Sequence, residues 1–161
     1  MQSSNFEAIL SQVRDFAAKA ESAEALQEFT VRLIAEKLPH YNWVGFYMLD
    51  PEDPQVLVLG PFRGAATPHV RIPVTQGICG AAVAQEQTVV VDDVASDPHY
   101  LACSLETRSE IVVPIRASGN VVGEIDIDSH ARAAFESEDR SFLEECAAVI
   151  GAYIESSEAK R

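Results

Sequence analysis

Between Tyr100 and Ser129 the chain places a cysteine, Cys103, ahead of two short runs that carry acidic residues. The first run opens at Glu110, and the second contains Asp126 and Asp128. A thiolate is a nucleophile that can be oxidised and reduced, and a carboxyl group can deliver or accept a proton. If folding brings these side chains together, their types predict thiol chemistry assisted by proton transfer.

A β-hairpin would position these groups. An alternating apolar run follows Glu110, the pair Gly119–Asn120 is typical of a tight turn, and a second run follows the turn. In such a hairpin the three acids could lie together near Cys103. Acids that alternate with isoleucines, as over residues 124–128, are also typical of a strand with one face in water. Both interpretations stay open, because the functional one requires loops that cover this face, where the acids would raise one another's pKa values.

The three cysteines have different surroundings. Cys103 lies among polar residues, which predicts a loop or short helix near solvent. Cys79 lies in the segment Gly-Ile-Cys-Gly, in the first turn of a predicted short helix, where the helix N-terminus favours a thiolate. Cys146 falls on the apolar stripe of a C-terminal helix, which predicts core packing. A redox pair of Cys79 and Cys103 is one hypothesis, and their spacing in sequence does not fix their distance in space.

The sequence does not predict a metal site. His99 and Cys103 are four residues apart and could share a helix face, but two ligands are too few for zinc. The chain has no Cys-x-x-Cys pair. It also has no Gly-x-Ser-x-Gly motif and no P-loop motif, which argues against a hydrolase and against a nucleotide-hydrolysing enzyme.

Length and charge restrict the possible partners. The chain has 161 residues, which predicts one domain with a real core, and a formal net charge of -13. This charge argues against nucleic acid and against an anionic membrane surface. No apolar run approaches the ~20 residues that span a bilayer, and the N-terminus lacks the pattern of a secretory signal. We therefore expect a cytoplasmic protein whose cysteines are reduced at rest.

Apolar periodicity predicts an α+β fold. Helical spacing extends over residues 3–19 and over residues 22–37, with Ser22 as the N-cap of the second helix. Short strand-like runs with tight turns follow, and Ser137 is expected to cap a final helix. Strands that neighbour each other in sequence favour an antiparallel sheet, with the helices on one face. In the strand at residues 42–49, period two places Trp43 and Tyr47 on the same face.

Several segments, in order, resemble one known family, the free methionine-(R)-sulfoxide reductases, which are stand-alone GAF domains. The segments are residues 42–47 (NWVGFY), 57–62 (LVLGPF), 71–73 (RIP), 77–80 (GICG), 102–103 (AC), 109–114 (SEIVVP) and 125–129 (IDIDS). They extend over about residues 40–145, and together they are specific, because a generic GAF domain is not expected to share both cysteine contexts and the final IDIDS segment.

The resemblance implies the fold. It implies a single GAF domain over residues 1–161, with N-terminal helices over 1–38, the sheet and pocket over 40–130, and a C-terminal helix over 137–159. The expected sheet is mostly antiparallel, with about six strands, helices on one face and a loop-roofed pocket on the other. The terminal helices have apolar stripes that suit a homodimer.

The resemblance also implies roles for site residues. The expected reaction is thiol-dependent reduction of free L-methionine-(R)-sulfoxide, without a cofactor or metal and with an external reductant such as thioredoxin. Cys103 aligns with the attacking cysteine and Cys79 with a second redox cysteine. Glu110, Asp126 and Asp128 are expected to hold the substrate and supply a proton, and Trp43 and Tyr47 to form an aromatic wall.

One position departs from the family pattern. Members often have a further cysteine shortly before Arg-Ile-Pro, and this chain has His69 there. The resemblance then implies that Cys79, or an external thiol, resolves an oxidised Cys103 through a disulfide. Two other functions stay open: a non-catalytic GAF module that binds a small ligand and regulates a partner, and a peroxide-driven thiol switch.

Overall fold

The structure is a computed structural model that describes residues 2–98, 100 and 106–160. The α-helices of this part of the chain are α1 (Gln2–Ala17), α2 (Ala23–Lys37), α3 (Gly77–Gln85) and α4 (Ser137–Ala159), and a short 3-10 helix covers Val94–Ser96. The strands are β1 (Trp43–Asp50), β2 (Asp53–Arg63), β3 (Arg71–Pro73), β4 (Val89–Val91), β5 (Ser109–Ala117) and β6 (Asn120–Ser129). Within the described ranges, none of the helices has the length and apolar character needed to cross a membrane.

Local sequence signals determine where the helices begin. The Ser22 hydroxyl accepts a hydrogen bond from the Ala25 backbone N–H at 3.0 Å, so the predicted N-cap of α2 is confirmed. The prediction for α4 was wrong by one residue. Its N-cap is Glu136, which forms a reciprocal capping box with Asp139, and Ser137 is the first helical residue.

The strands form one antiparallel sheet in the order β3-β2-β1-β6-β5-β4. The predicted hairpin is β5–β6, but its turn lies one residue earlier than expected. Ala117 pairs with Asn120, and the two residues between them, Ser118 and Gly119, both have a positive φ. Two left-handed residues give the hairpin a turn whose twist matches that of its strands.

The sheet separates two apolar cores. One core lies between the sheet and helices α1, α2 and α4, and it contains Ile125 and Ile127 of β6 together with Cys146 of α4. The other core contains Trp43 and Tyr47 of β1 and residues of α3. The α+β class is therefore confirmed, with one difference: α3 packs on the sheet face opposite to the other three helices.

Helix α4 lies against the backbone of β5 at Gly151. A Cβ atom at this position would lie 2.1 Å from the carbonyl oxygen of Arg116, which is closer than real Cβ contacts allow. Glycine is therefore required for this close approach. The contact holds the β5–β6 hairpin, and so its acidic residues, at a fixed distance from the helical layer.

Candidate active site

Strand β6 presents three acids on one face of the sheet. Because side chains alternate along a strand, Glu124, Asp126 and Asp128 share a face, while Ile125 and Ile127 point into the helix-side core. The two isoleucines pack in the core between the sheet and the helices and so hold β6 in place from that face. The acids consequently face the second core, the one that α3 covers.

Strand β5 adds a fourth acid to this group. Glu110 lies directly opposite Asp128 in the β5–β6 ladder, so the two side chains share a face. Glu110 also makes side-chain hydrogen bonds with Asp126 and Asp128. A hydrogen bond between two carboxyl groups requires that one of them carries a proton. Burial and these hydrogen bonds therefore favour a proton within the cluster, where ordinary surface carboxylates would be ionised.

All four acids are buried, and they are called the acid cluster below. The exposed fraction is 5% for Glu110, 0% for Glu124, 1% for Asp126 and 2% for Asp128. The interpretation of these strands as one solvated face is therefore wrong. A strand in which acids alternate with isoleucines has the same sequence pattern whether its polar face is in water or buried. The pattern alone therefore could not predict that these acids are buried.

Burial changes the protonation of the cluster. It raises the pKa of Asp126, although hydrogen bonds from Glu110 and from the Cys79 thiol act in the opposite direction. Burial raises the pKa of Asp128 well above its usual value, and the charge of Asp126 adds to this effect. Charged carboxylates lose the solvation of water inside a protein, which favours the protonated form.

Glu124 is the residue that the sequence interpretation missed. Burial raises its pKa well above the usual value, and contact with the Cys79 thiol acts in the opposite direction. Neither carboxyl oxygen makes a hydrogen bond of normal geometry in the described part of the chain. One oxygen of Asp126 and one of Asp128 are also buried without a partner there. The signal was present in the sequence, because Glu124 continues the same two-residue spacing as Asp126 and Asp128.

Cys79 lies beside the acid cluster. It is in the first turn of α3, as predicted, and its Sγ donates to Oδ2 of Asp126 at 3.4 Å. Burial raises the pKa of the Cys79 thiol well above its usual value, and the charges of Asp126, Glu124 and Glu110 raise it further. The expectation that the helix N-terminus makes Cys79 a thiolate is therefore wrong. Cys79 is buried, and its surroundings favour the protonated thiol.

An aromatic pair borders the acid cluster on β1. Trp43 pairs with Asp128 and Tyr47 pairs with Glu124. The Trp43 ring lies over the glycine between them, Gly45, where an added Cβ would come within 2.4 Å of the ring. The two rings are stacked with centroids 6.2 Å apart. A flat apolar wall therefore stands next to the buried carboxyl groups.

Hydrogen bonds fix the two rings to the loop between β2 and β3. The Trp43 Nε1–H donates to the carbonyl oxygen of Ala65 at 3.0 Å, and the Tyr47 hydroxyl donates to that of His69 at 2.7 Å. The backbone at His69 is therefore held against the aromatic pair. These two hydrogen bonds fix the Trp43 and Tyr47 rings on the same face of the sheet as the acids.

A cavity of about 90 Å³ opens beside this wall. Trp43, Ala65, Thr107 and Asp128 are among its lining residues. Cys103, the predicted nucleophile, and His99 lie outside the described residues. The structure therefore brings Cys79, Glu110, Asp126 and Asp128 together, with Trp43 and Tyr47 beside them, and the role of Cys103 stays a prediction.

Comparison with known proteins identifies the family. The GAF domain model matches residues 20–155. A free methionine-R-sulfoxide reductase of Escherichia coli strain K12 is 37% identical over 132 residues, which cover 82% of this chain and 78% of that protein. A free methionine-R-sulfoxide reductase of Saccharomyces cerevisiae is 41% identical over 110 residues, which cover 68% of this chain and 61% of that protein. The chain belongs to the free methionine-(R)-sulfoxide reductase family of GAF domains.

A solved structure supports the same assignment. The free methionine-R-sulfoxide reductase of Neisseria meningitidis, in complex with its substrate, has 35% sequence identity and a TM-score of 0.93. The alignment covers 100% of this chain and 95% of that one. The expected GAF fold is therefore confirmed, and its six-stranded sheet and four helices are those described above.

Glu124→Gln should change how stability depends on pH. Glu124 ionises near its usual pKa of 4.5 in the unfolded chain, whereas burial raises its pKa in the folded protein. Its contribution to stability is therefore complete below about pH 4.5 and is lost as the pH rises through the folded pKa. Removing this group should make the free energy of unfolding decrease less between about pH 5 and about pH 8.

Urea unfolding at both pH values, for the wild type and the variant, measures this difference. Glu158→Gln is the matched control, because Glu158 is an exposed glutamate of α4. It should leave the wild-type pH dependence unchanged. An equally steep loss of stability in Glu124→Gln and in the wild type would show that Glu124 does not hold a proton in the folded state.

Proposed function

We propose that this GAF protein reduces free L-methionine-(R)-sulfoxide to methionine by thiol chemistry. The observation that carries the proposal is a buried acid cluster beside a thiol and an aromatic pair, in a chain of this family. Relatives named for this activity, and a neighbour named as bound to its substrate, support the same choice of substrate.

The acid cluster accounts for selection of a free amino acid. The substrate ammonium group would bind Asp126 and Asp128, which have buried oxygen atoms available as acceptors. Such a contact is a charge-assisted hydrogen bond. A methionine sulfoxide inside a peptide has no ammonium group at this position and could not make it. Trp43 and Tyr47 would pack against the methyl group of the sulfoxide.

The first chemical step needs a nucleophile and a proton. Cys103 attacks the sulfoxide sulfur, and oxygen moves to Cys103 as the S–O bond of the substrate breaks. One thiol and one sulfoxide then give one sulfenic acid and methionine. The oxygen must be protonated as it leaves, and Glu110 is suited to deliver this proton because it is hydrogen-bonded within a cluster that retains protons.

Cys79 is our candidate for regenerating the enzyme. Its thiol condenses with the Cys103 sulfenic acid, which forms a disulfide and releases water. Asp126 can accept the thiol proton, because Cys79 already donates to it. An external dithiol of the thioredoxin kind then reduces the disulfide by exchange. This assignment also accommodates His69 in place of the additional family cysteine.

Cys103→Ser should abolish the reduction, because serine does not form the sulfenic acid. The assay supplies L-methionine-(R)-sulfoxide with dithiothreitol and measures the methionine formed. Cys146→Ser is the matched control, since Cys146 is buried in the core on the other face of the sheet. It should retain activity close to that of the wild type.

Calorimetry and peroxide treatment of the wild type and Cys103→Ser, alongside this assay, separate catalysis from the two alternative functions. A GAF module that only senses a ligand would bind the sulfoxide in calorimetry without forming methionine, and Cys103→Ser would not alter that binding. Peroxide-driven bonding of Cys79 to Cys103 without sulfoxide turnover would instead identify a thiol switch. Either result would contradict the reductase proposal.

Cys79→Ser should separate the two halves of the reaction. Attack by Cys103 does not need Cys79, so the variant should form about one methionine per chain in the absence of reductant. Steady-state turnover with thioredoxin should be lost, because the disulfide cannot form. Rapid-quench measurement of methionine, with the Cys103 product trapped by dimedone, tests both statements. Full thioredoxin-dependent turnover in Cys79→Ser would exclude Cys79 as the resolving residue.

Asp128→Asn should weaken recognition of the substrate ammonium group. A hydrogen bond to a charged group contributes about 1.5–3 kcal/mol, so kcat/KM should fall roughly tenfold or more. Free methionine sulfoxide and its N-acetyl derivative are compared as substrates. The wild type should strongly prefer the free form, and the variant should lose much of that preference. Asp15→Asn, at an exposed position of α1, is the control and should keep it.

A further inference from the structure

Three donor atoms converge at the acid cluster from three separate elements. They are Sγ of Cys79 in α3 and one carboxyl oxygen each of Glu110 in β5 and Asp126 in β6, and all lie within 4.8 Å of one another. All three residues are buried. Thiolate, carboxylate and imidazole groups are the usual protein ligands of zinc. The arrangement is invisible in the sequence, because the three residues are far apart along the chain.

The spacing of the Cys79 and Asp126 donor atoms is close to that of two ligands of a tetrahedral ion. Sγ of Cys79 lies 3.4 Å from Oδ2 of Asp126. With Zn–S near 2.3 Å and Zn–O near 2.0–2.2 Å, a tetrahedral angle separates sulfur and oxygen by about 3.5–3.7 Å. An ion could therefore bridge these two atoms without a large movement of either side chain.

The set of ligands also contains a polar atom that a cation would satisfy. One carboxyl oxygen of Asp126 is buried and lacks a hydrogen-bond partner in the described residues. Leaving such an atom unpaired in the interior is unfavourable. A methionine sulfoxide molecule would not supply net positive charge, because its own carboxylate balances its ammonium group. A divalent cation would.

We propose that Cys79, Glu110 and Asp126 form a binding site for a divalent transition-metal ion of the zinc type, with the fourth position open to water. The thiolate ligand disfavours Mg²⁺ and Ca²⁺, which take oxygen ligands. Glu124 is in contact with the Cys79 thiol. It lies outside the three proposed ligands and would orient the Cys79 thiolate as an outer-shell partner.

This site does not depend on the sulfoxide reductase activity. It nevertheless uses Cys79, the proposed resolving thiol, and Asp126, a proposed contact of the substrate. A bound ion and a bound substrate therefore exclude each other, and an ion holds Cys79 as a metal thiolate that cannot condense with a sulfenic acid. Zinc should act as a reversible inhibitor that competes with the sulfoxide.

Titration of the reduced full-length protein with Co²⁺ and Zn²⁺ tests the site. Co²⁺ should give a thiolate-to-metal charge-transfer band in the near ultraviolet and the strong visible bands of a tetrahedral ion, and Zn²⁺ should displace it. Cys79→Ser should remove the charge-transfer band. Cys103→Ser and Cys146→Ser are matched cysteine controls, and both should retain it.

Variants that keep the thiol make the test independent of the folding of Cys79→Ser. Glu110→Gln and Asp126→Asn should each weaken Zn²⁺ binding, and Glu124→Gln should weaken it roughly 10–100-fold while the charge-transfer band persists. Circular dichroism confirms folding of each variant. Unchanged Zn²⁺ affinity in Glu110→Gln and Asp126→Asn, or loss of the band in Cys103→Ser with retention in Cys79→Ser, would overturn the proposal. Because these readouts need no sulfoxide, failure of the metal site and failure of the reductase proposal are distinguishable.

Discussion

The structure depends on keeping four carboxyl groups out of water on one face of a sheet. A charged carboxylate in the interior is very unfavourable unless it is protonated, hydrogen-bonded or paired with a cation. Here Glu110 is hydrogen-bonded to Asp126 and Asp128, and Cys79 donates to Asp126. Burying the acids still has an unfavourable free energy, which another part of the fold must offset. The large apolar core between the sheet and helices α1, α2 and α4 supplies favourable hydrophobic burial.

Local signals in the sequence were sufficient for the elements of the fold. The Ser22 cap, the face shared by Trp43 and Tyr47, and the β5–β6 hairpin each follow from interactions within a few residues. Burial of the acids could not be predicted in this way, because it depends on α3 packing across the sheet. The turn was predicted at Gly119–Asn120 but lies at Ser118–Gly119. Ser118 adopts a positive φ there, and the sequence pattern did not indicate this for a serine.

Cys79 shows why a correct position in the chain did not give the direction of its pKa shift. The first turn of a helix stabilises a negative charge by about 0.3–1 kcal/mol, and by at most about 2 kcal/mol in partly buried sites. Burial with nearby carboxylates can shift a pKa by several units, each of which corresponds to about 1.4 kcal/mol. The sequence revealed only the smaller effect, because the acids that approach Cys79 come from β5 and β6.

The sheet itself limits which thiols can take part in chemistry at the site. Cys146 packs in the helix-side core, where burial raises its pKa to about 12, and strand β6 stands between it and the acid cluster. Of the cysteines in the described residues, only Cys79 lies on the same face as the acids. Any thiol chemistry that Cys79 carries out must first remove its proton, and Asp126 is the acceptor already in contact. If an ammonium group or a metal ion binds at Asp126, as proposed, that binding would change how readily the Cys79 thiol loses its proton.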